Sequence, residues 1–468
     1  MDSSPRNKYA VPGIVASILA AAIILMLPAP EGLSTEGHRM AALFAVALIL
    51  FVTEAIPIAM TSVLVLLLQP VMGITDNIRD AFNSWVTPVL FFVLVMFIIA
   101  QAVSETGLAR RFGLWLLARA GTDSRRVIMV FVIGSGVMSL IMSDVPACAI
   151  FMAMALGIID KMNLKPGSSF AKALMLGIPI GALIGGIGTP AGSSINLLGL
   201  DQLEQFGGIT VRFLDWMMIG IPMVVIMLPL AGWIISRFYP PEMTAVGGLD
   251  GIQRERTEMG PMTPAQVKVI VILGIMVVLW ILSTWYPIFD VYMVGIGGAV
   301  VMFLPGIRVL NWKQAQAGTG WDALLLIGGV TSLGGASVST GLAQWMVDSS
   351  LGGIAGWDTI WVIALISAFT VLIHLILPIN PVIVTVLIPP LTILANDTGV
   401  NPALYALPVA FTASCAFLLP IDAVPLLTYG KGYYKMFDML PPGAVLSVIW
   451  VILISALLVA IGPFLGYI

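Results

Sequence analysis

Charged residues are scarce in this chain of 468 residues, since lysine, arginine, aspartate and glutamate together make up only 10% of it. Apolar residues account for 59%, a balance far from that of soluble globular domains. The only two cysteines, Cys148 and Cys415, lie in apolar sequence, and we predict that they are small packing residues. Neither metal-ligand spacing nor a basic stripe is present, so we expect no metal centre of this kind and no nucleic-acid partner.

Long apolar runs recur along the whole chain. Clear examples lie at 10–27, 216–235, 269–285 and 444–461, and each is near the roughly 20 residues that a helix needs to cross a bilayer. The first run is not an obvious cleaved signal, because many equivalent runs follow it. The sequence therefore predicts an all-α, multi-pass protein embedded in the lipid bilayer.

One sequence pattern occurs twice, with different charges. Trp85 and Trp321 are each followed by the sequence Thr-Gly-Leu-Ala and, 58 residues after the tryptophan, by a polar break at Ser143 and Ile379. Five arginines follow the first copy, whereas 344–361 contains no lysine or arginine. Because basic loops stay in the cytoplasm, the two copies are predicted to be inverted repeats, an arrangement typical of secondary transporters.

The charge pattern predicts about 11 spans and two re-entrant hairpins. Residues 127–160 have basic residues on both sides, so this segment is predicted to enter the membrane and return, with its tip at 143–146. The hairpin at 358–397 has no basic flank and is predicted to enter from outside, with its tip at 378–381. The predicted spans cover 10–28, 39–53, 57–74, 83–108, 172–203, 210–238, 266–285, 288–306, 321–346, 402–434 and 440–466, of which 172–203 and 402–434 are broken.

Arg6 and Lys8 place the N-terminus in the cytoplasm, on the same side as a basic loop at 110–126. The plasma (inner) membrane is the expected location. The predicted organisation is an N-terminal segment with the first span at 1–30, a first repeat at 31–238, a cytoplasmic linker with Arg254 and Arg256 at 239–264, and a second repeat at 265–468.

Four polar stretches, 140–146, 185–196, 377–381 and 419–425, interrupt the apolar segments. Broken helices survive in a membrane only where they face protein or a wet cavity. Helix N-termini at such breaks attract anions, and freed carbonyl and hydroxyl oxygens suit a small hard cation. The four breaks predict a substrate anion that moves together with Na⁺. Close packing by small residues is the alternative for 185–196, the break richest in glycine.

Asp144 and Asp422 are the most informative single residues. A carboxylate inside the membrane is expensive and usually functional, although an aspartate also caps helix starts. A cation ligand and a titrating proton carrier are both open roles, because burial favours the neutral form of a carboxylic acid. His374 lies in an apolar run before Ile379, where a structural role and a role in the transport pathway are equally open.

Four segments resemble the divalent-anion:sodium symporter family of di- and tricarboxylate and sulfate carriers. They are 53–57 (TEAIP), 321–329 (WDALLLIGG), 181–196 (GALIGGIGTPAGSSIN) and 416–439. The resemblance implies inverted repeats, a scaffold that holds a mobile transport domain, an elevator motion and a homodimer.

The signature motifs depart from the family pattern. The family carries Ser-Asn-Thr at both hairpin tips, whereas this chain has Ser-Asp-Val at 143–145 and Ile-Asn-Pro at 379–381. The broken spans of the family carry Thr-Pro-Pro-Asn, whereas this chain has Ser-Ser-Ile-Asn at 193–196 and Ala-Val-Pro-Leu at 423–426. An ionised aspartate at the first tip would repel an anion.

The resemblance, together with the two aspartates, implies three sets of site residues. The substrate set is Ser143, Asp144, Val145, Ser194, Asn380, Pro381 and Pro425. The first cation set is Ser143, Asp144, Gly188, Gly192 and Asn196. The second cation set, for Na⁺ or H⁺, is Ile379, Asn380, Asp422 and Ala423.

The leading hypothesis is a secondary transporter that couples a small organic anion, such as succinate or malate, to Na⁺. An H⁺-coupled symporter, an anion exchanger and a sulfate carrier remain open. An intramembrane aspartyl protease is a weaker alternative, because neither aspartate stands in a Gly-x-Gly-Asp motif. A passive channel is another weaker alternative, which would lack ion coupling and obligatory counterflow. We therefore expect no enzyme activity, and no cofactor beyond the coupling ion.

Overall fold

The computed structural model describes residues 10–246, 256–351, 353 and 356–468. Within these ranges the chain is helical, and the one extended pairing is an isolated bridge between Asp123 and Ala245. The helices are α1 Ala10–Met26, α2 Thr35–Thr53, α3 Ile58–Val71, α4 Ile78–Asn83, α5 Pro88–Glu105, α6 Leu108–Ala120, α7 Ser124–Met142, α8 Asp144–Lys161, α9 Ser169–Gly186, α10 Ser194–Gly207, α11 Phe213–Phe238, α12 Pro264–Leu282, α13 Val291–Val301, α14 Trp312–Gly318, α15 Trp321–Ser339, α16 Leu342–Met346, α17 Thr359–Ile373, α18 Asn380–Asp397, α19 Ala403–Thr412, α20 Ala423–Tyr429 and α21 Leu440–Leu465.

The predicted all-α membrane architecture is confirmed. Nine of the described helices are long and apolar enough to cross a membrane, and five shorter apolar helices accompany them. The linker predicted at 239–264 includes 247–255, with Arg254, which lie outside the described residues. The two predicted hairpins correspond in sequence to α7–α8 and α17–α18, and the two broken spans to α9–α10 and α19–α20.

Three boundaries differ from the prediction. The segment at 110–126, expected to be a loop, is largely the helix α6, whose apolar residues Leu114 and Leu117 are buried while glycines flank the helix at both ends. The span expected from residue 83 begins only at Pro88, because a separate short helix, α4, precedes it. The break in the last broken span is longer than expected, since α19 ends at Thr412 and α20 begins at Ala423, with the ten residues 413–422 between them.

The helices pack in two groups. In the first group, α7 contacts α8, α9 and α11, α10 contacts α18 and α19, and α20 contacts α8 and α9. Both hairpins and both broken spans therefore belong to one interleaved body. In the second group, α3 contacts α2 and α15, and α5 contacts α13 and α14. Helices α5 and α15 join the groups, because α5 contacts α7 and α10 while α15 contacts α18.

Glycine permits the closest of these contacts, between α7 and α9. A Cβ atom added at Gly185 would overlap the backbone of Gly136, and one added at Gly181 would overlap the carbonyl group of Val132. Small residues allow helix backbones to approach closely in membranes, where packing rather than water exclusion drives association. The glycine-rich end of α9 thus serves packing as well as the break that follows it.

We predict that Gly185→Ala destabilises the protein by about 1–3 kcal/mol, because the added methyl group forces α7 and α9 apart. The measurement is the thermal unfolding midpoint of the detergent-purified protein. Gly157→Ala on α8 is the matched control, since a Cβ atom there would meet nothing within 4 Å. Equal unfolding midpoints for the two variants would contradict the proposed packing constraint.

Candidate functional site

The first hairpin turns at a single residue. Helix α7 ends at Met142 and α8 begins at Asp144, so Ser143 alone reverses the chain direction, with φ 72° and ψ 156°. This region of backbone space is almost exclusive to glycine, and a serine held there costs about 1–3 kcal/mol. The neighbouring packing must therefore hold Ser143 in place. Strain of this kind is concentrated at functional sites.

Asp144 lies directly beside this strained residue and is buried. Its Oδ1 atom accepts a hydrogen bond from the Ser143 hydroxyl at 3.0 Å and another from the Val145 N–H at 3.0 Å. Asp144 is the first residue of α8 rather than its N-cap, and its carboxyl group accepts from the next N–H group along the helix. Its Cβ atom also lies close to Gly186, so it faces the break between α9 and α10.

The Asn196 side chain hydrogen-bonds to the backbone of that break. Its Nδ2 atom donates to the carbonyl oxygens of Gly186 at 2.8 Å and Thr189 at 2.9 Å. The Thr189 hydroxyl in turn donates to the Leu140 carbonyl at 2.7 Å, which ties the break to the hairpin tip. The Oδ1 atom of Asn196 is buried without a hydrogen-bond partner. A buried acceptor without a donor is costly, and it is an available ligand for a cation.

Ser139 belongs to the same place, although the sequence analysis missed it. Its hydroxyl is buried, has no hydrogen-bond partner, and lies 3.2 Å from the position of a Cβ atom at Gly186. Ser139 lies on the last turn of α7, four residues before the tip residue Ser143 in the sequence. That spacing is the signal in the sequence that could have identified it.

The carbonyl groups of Ile187 and Gly188 contact helix α11. The Ile187 carbonyl accepts a hydrogen bond from the Trp216 indole at 2.7 Å. A Cβ atom added at Gly220 of α11 would lie 3.0 Å from the Gly188 carbonyl oxygen. The carbonyl group of Gly188 thus packs against α11, whereas Gly192 packs against Gly186 and Ser139 beside the break.

The second pair of breaks is built around Asp422. Its carboxyl group caps α20, accepting from the Val424 N–H at 3.2 Å, and it is buried. The Asn380 side chain, at the start of α18, is in polar contact with both Asp422 and His374. Its Oδ1 atom and the hydroxyl of Ser414 are buried without a hydrogen bond of good geometry. This second set therefore repeats the first: one carboxyl group and unpartnered side-chain oxygens.

The two carboxyl groups act on each other. Helix α20 packs against α8 and α9, and the charge of Asp422 reaches Asp144. Cys148 lies between the two segments, with its Sγ atom 3.6 Å from the Val424 carbonyl oxygen. The sequence predicts one carboxylate in each of two cation sites, and the structure packs the two segments that carry them against each other.

Basic side chains do not neutralise this pair within the described ranges. The ion pairs found there join Lys172 to Asp438 at 2.9 Å and Arg212 to Asp215 at 2.7 Å, and neither includes Asp144 or Asp422. Two buried carboxyl groups without a basic partner require a proton, a metal cation or both. This arrangement can therefore bind a monovalent cation or take up a proton.

A narrow cleft lies next to the first tip. Ser143 and Ser194, both predicted to bind substrate, line it together, and Met96 and Phe97 of α5 form the opposite wall. The cleft thus lies between the interleaved body and the second group of helices. It offers hydroxyl groups and the start of α10 on one side, and an apolar surface on the other.

The remaining predicted residues are distributed around the tips. Val145 is 40% exposed. Ala423 is exposed, while Ile379 and Pro381 are half-buried. The Pro425 carbonyl accepts hydrogen bonds from the hydroxyl groups of Thr428 at 3.1 Å and Tyr434 at 3.0 Å, so it is engaged by its own helix and the following turn.

Comparison with known proteins identifies the context of this site. Residues 9–468 match the family model described as the sodium:sulfate symporter transmembrane region. A protein of Staphylococcus saprophyticus named sodium-dependent dicarboxylate transporter SdcS is 29% identical, over 97% of this chain and 92% of that protein. A protein of Cupriavidus necator named only as a membrane protein is 27% identical, over 88% of this chain and 84% of that protein.

Two solved structures share the fold at low sequence identity. MtrF of Neisseria gonorrhoeae is similar with a TM-score of 0.58 and 12% identity, over 97% of this chain and 95% of that one. The YdaH transporter of Alcanivorax borkumensis is similar with a TM-score of 0.56 and 14% identity, over 98% of this chain and 99% of that one. The likeness extends over the whole chain, so it supports the predicted fold class.

We predict that Asn196→Ala lowers the free energy of unfolding by about 1–3 kcal/mol, because the Gly186 and Thr189 carbonyl groups each lose a buried donor. The measurement is the unfolding midpoint in detergent without added sodium. Asn396→Ala is the control, since Asn396 is exposed at the far end of α18. An Asn196→Ala midpoint equal to that of the control would show that these hydrogen bonds do not hold the break.

Proposed function

The chain belongs to the sodium:sulfate symporter family, and from this premise we propose that it is a secondary transporter that moves a small organic anion together with Na⁺. The family is one of carriers, in agreement with the expectation that the chain is not an enzyme. The observation that carries the proposal is the pairing of Asp144 and Asp422, two buried carboxyl groups at helix breaks. Each stands beside buried oxygens that lack a hydrogen-bond donor.

The side-chain oxygen atoms in each half of the site are suitable ligands for a small hard cation. In the first half, Asp144, Ser139 and Asn196 supply a carboxylate, a hydroxyl and an amide oxygen. In the second half, Asp422 and Asn380 supply a carboxylate and an amide oxygen. Broken membrane helices of transporters coordinate coupling ions with oxygens of this kind. Because the carboxyl groups act on each other, one cation or proton shared between them is an alternative to two separate ions.

The substrate anion is assigned to the other two helix starts. Helices α10 and α18 begin at Ser194 and Asn380, carry no carboxylate in their first turns, and pack against each other. Their N-terminal N–H groups attract negative charge. A dicarboxylate such as succinate or malate is proposed, since relatives are named sodium-dependent dicarboxylate transporters. Sulfate is the second candidate, because the family model carries that name.

We extend the proposal to the transport motion and the cellular setting. The interleaved body that contains all four breaks meets the second group of helices mainly through α5 and α15. This division supports an elevator motion of that body against a scaffold. A homodimer, a position in the plasma membrane and a cytoplasmic N-terminus complete the proposal, and they rest on the resemblance and on the distribution of basic residues.

The first experiment is uptake of radiolabelled succinate, malate and sulfate into proteoliposomes, with inward Na⁺ and H⁺ gradients imposed separately. The proposal expects uptake of a dicarboxylate that is driven by the Na⁺ gradient. Uptake driven only by H⁺ would show that the coupling ion is H⁺ rather than Na⁺. Uptake seen only with internal substrate would identify an exchanger. Dissipation of every gradient without net accumulation would indicate a channel and would contradict the proposal.

We predict that Asp144→Asn and Asp422→Asn each lower gradient-driven uptake at least about tenfold, since each removes a charged ligand of the coupling cation. Asp160→Asn is the control, because Asp160 lies on the same helix as Asp144 and is exposed at its end. The measurement is the initial uptake rate as a function of Na⁺ concentration and pH. Wild-type uptake rates and an unchanged response to Na⁺ and pH in both variants would contradict the assignment of Asp144 and Asp422 as ligands of the coupling cation.

A further inference from the structure

One wall of the cleft beside the first tip is apolar throughout. This α5 wall is formed by Val93, Met96, Phe97 and Ala100. No residue of α5 from 88 to 100 has a hydroxyl, amide or charged side chain. The next residue, Gln101, donates its amide N–H to Glu105 at 2.8 Å, so that group is already engaged. A substrate that touches the α5 wall therefore finds no hydrogen-bond partner there.

The opposite wall belongs to the interleaved body and is polar at two points. Ser143 at the hairpin tip and Ser194 at the start of α10 line it, beside Ala191 and Leu197. The cavity between the two walls measures about 20 Å³, which is room for one water molecule. Every candidate substrate anion is larger than water, so an anion bound between these walls touches both of them.

We propose that the α5 wall selects the class of substrate, namely a short dicarboxylate with an unsubstituted carbon chain, in preference to hydroxylated dicarboxylates and to sulfate. The inference rests on the proposed function, because it names the substrate of the same site. The carboxylate groups of the substrate face the serine hydroxyls and the starts of α10 and α18, which pack together. Its methylene carbons face Met96 and Phe97, which are then specificity-determining residues.

The chemistry of the two walls sets the order of affinity. A methylene group gains free energy when it leaves water for an apolar surface. Because the carboxylate groups occupy the polar wall, a hydroxyl group on the chain turns toward the α5 wall, loses its hydrogen bonds to water and weakens binding about tenfold. Sulfate carries oxygen atoms on every side, so some of them face the α5 wall in any orientation. The expected order, from tightest to weakest, is succinate, malate, tartrate and sulfate.

The Phe97 ring is held in place by the backbone at the start of α15. A Cβ atom added at Gly320, the N-cap residue of that helix, would lie 2.8 Å from Cζ of the ring and 3.1 Å from its Cε1 atom. The tip of the ring thus rests against a glycine, and any side chain at that position would displace it. The α5 wall is therefore a fixed surface, and a bound anion cannot avoid it by displacing Phe97 toward α15.

The first test is competition for uptake by the full-length protein in proteoliposomes, under the ion gradient that drives uptake. Unlabelled succinate, malate, tartrate and sulfate each compete with radiolabelled succinate, and the half-inhibitory concentration of each is measured. We expect this concentration to rise about tenfold from succinate to malate and again from malate to tartrate, with sulfate the weakest competitor. Equal half-inhibitory concentrations for the four anions would overturn the selection by the wall, while the proposed function would remain.

A matched pair of variants tests whether the α5 wall is responsible. Met96→Gln places an amide group of similar length on the wall, whereas Met96→Leu keeps the wall apolar at similar volume. We expect Met96→Gln to lower the ratio of the malate to the succinate half-inhibitory concentration at least about threefold, because the hydroxyl group gains a partner. Met96→Leu should leave this ratio unchanged. A folding defect lowers the uptake of every anion without changing the ratio, and an unchanged ratio in Met96→Gln would overturn the proposal.

Binding measured without transport separates this inference from the proposed function. Each anion is added at equal concentration to the detergent-purified wild type, and the rise in its unfolding midpoint reports binding. Midpoint shifts in the expected order without ion-driven uptake would support the selection and contradict the proposed function. Uptake together with equal shifts for all four anions would support the proposed function and contradict the selection. Absence of both uptake and shifts would overturn both.

Discussion

Backbone groups that are released inside a membrane must find partners without water, and the whole site depends on how this chain meets that constraint. Each of the four breaks frees N–H and C=O groups in a place where an unsatisfied group costs several kcal/mol. In the first half, the Asn196 amide and the Thr189 hydroxyl supply the missing donors. In the second half, the Asp422 carboxylate accepts from the freed N–H of Val424. The side chains that satisfy the breaks are also those available to bind ions, so fold stability and the proposed ion binding rest on the same residues.

The four helices that begin at the breaks are of two kinds, because two of them start with a carboxylate and two do not. Asp144 and Asp422 stand at the starts of α8 and α20, which pack together, whereas α10 and α18 begin without a carboxylate and also pack together. A cation and an anion can therefore bind side by side without competing for the same N–H groups. Repulsion between Asp144 and Asp422 is greatest when no cation is bound. In the proposed carrier, a cation that relieves this repulsion would also stabilise the arrangement that positions α10 and α18.

The sequence predicted where the helices end much better than which groups meet. Glycine, proline and isolated polar residues in apolar runs marked all four breaks, because these residues interrupt helices for local reasons. The helix α6 was missed because its arginines were used as a signal for sidedness, although its buried leucines have helical spacing. The proximity of Asp144 and Asp422 depends on packing between α8 and α20, which are nearly 300 residues apart in the chain. No local pattern in the sequence indicates a contact of that kind. The roles of the site residues remain predictions.

Charge balance connects the site to transport. Two ionised carboxyl groups carry a net charge of −2, and the described structure holds no basic side chain in an ion pair with either carboxylate. Moving uncompensated charge through hydrocarbon is expensive. In the proposed carrier, two bound monovalent cations, or one cation and one proton, would bring the cluster to neutrality, and a substrate anion would then require a further cation for each of its own charges. In the proposed carrier, the requirement for coupling follows from the solvation cost of the cluster. The loaded and fully empty states of that carrier would then move only when their cations and anions sum to nearly zero.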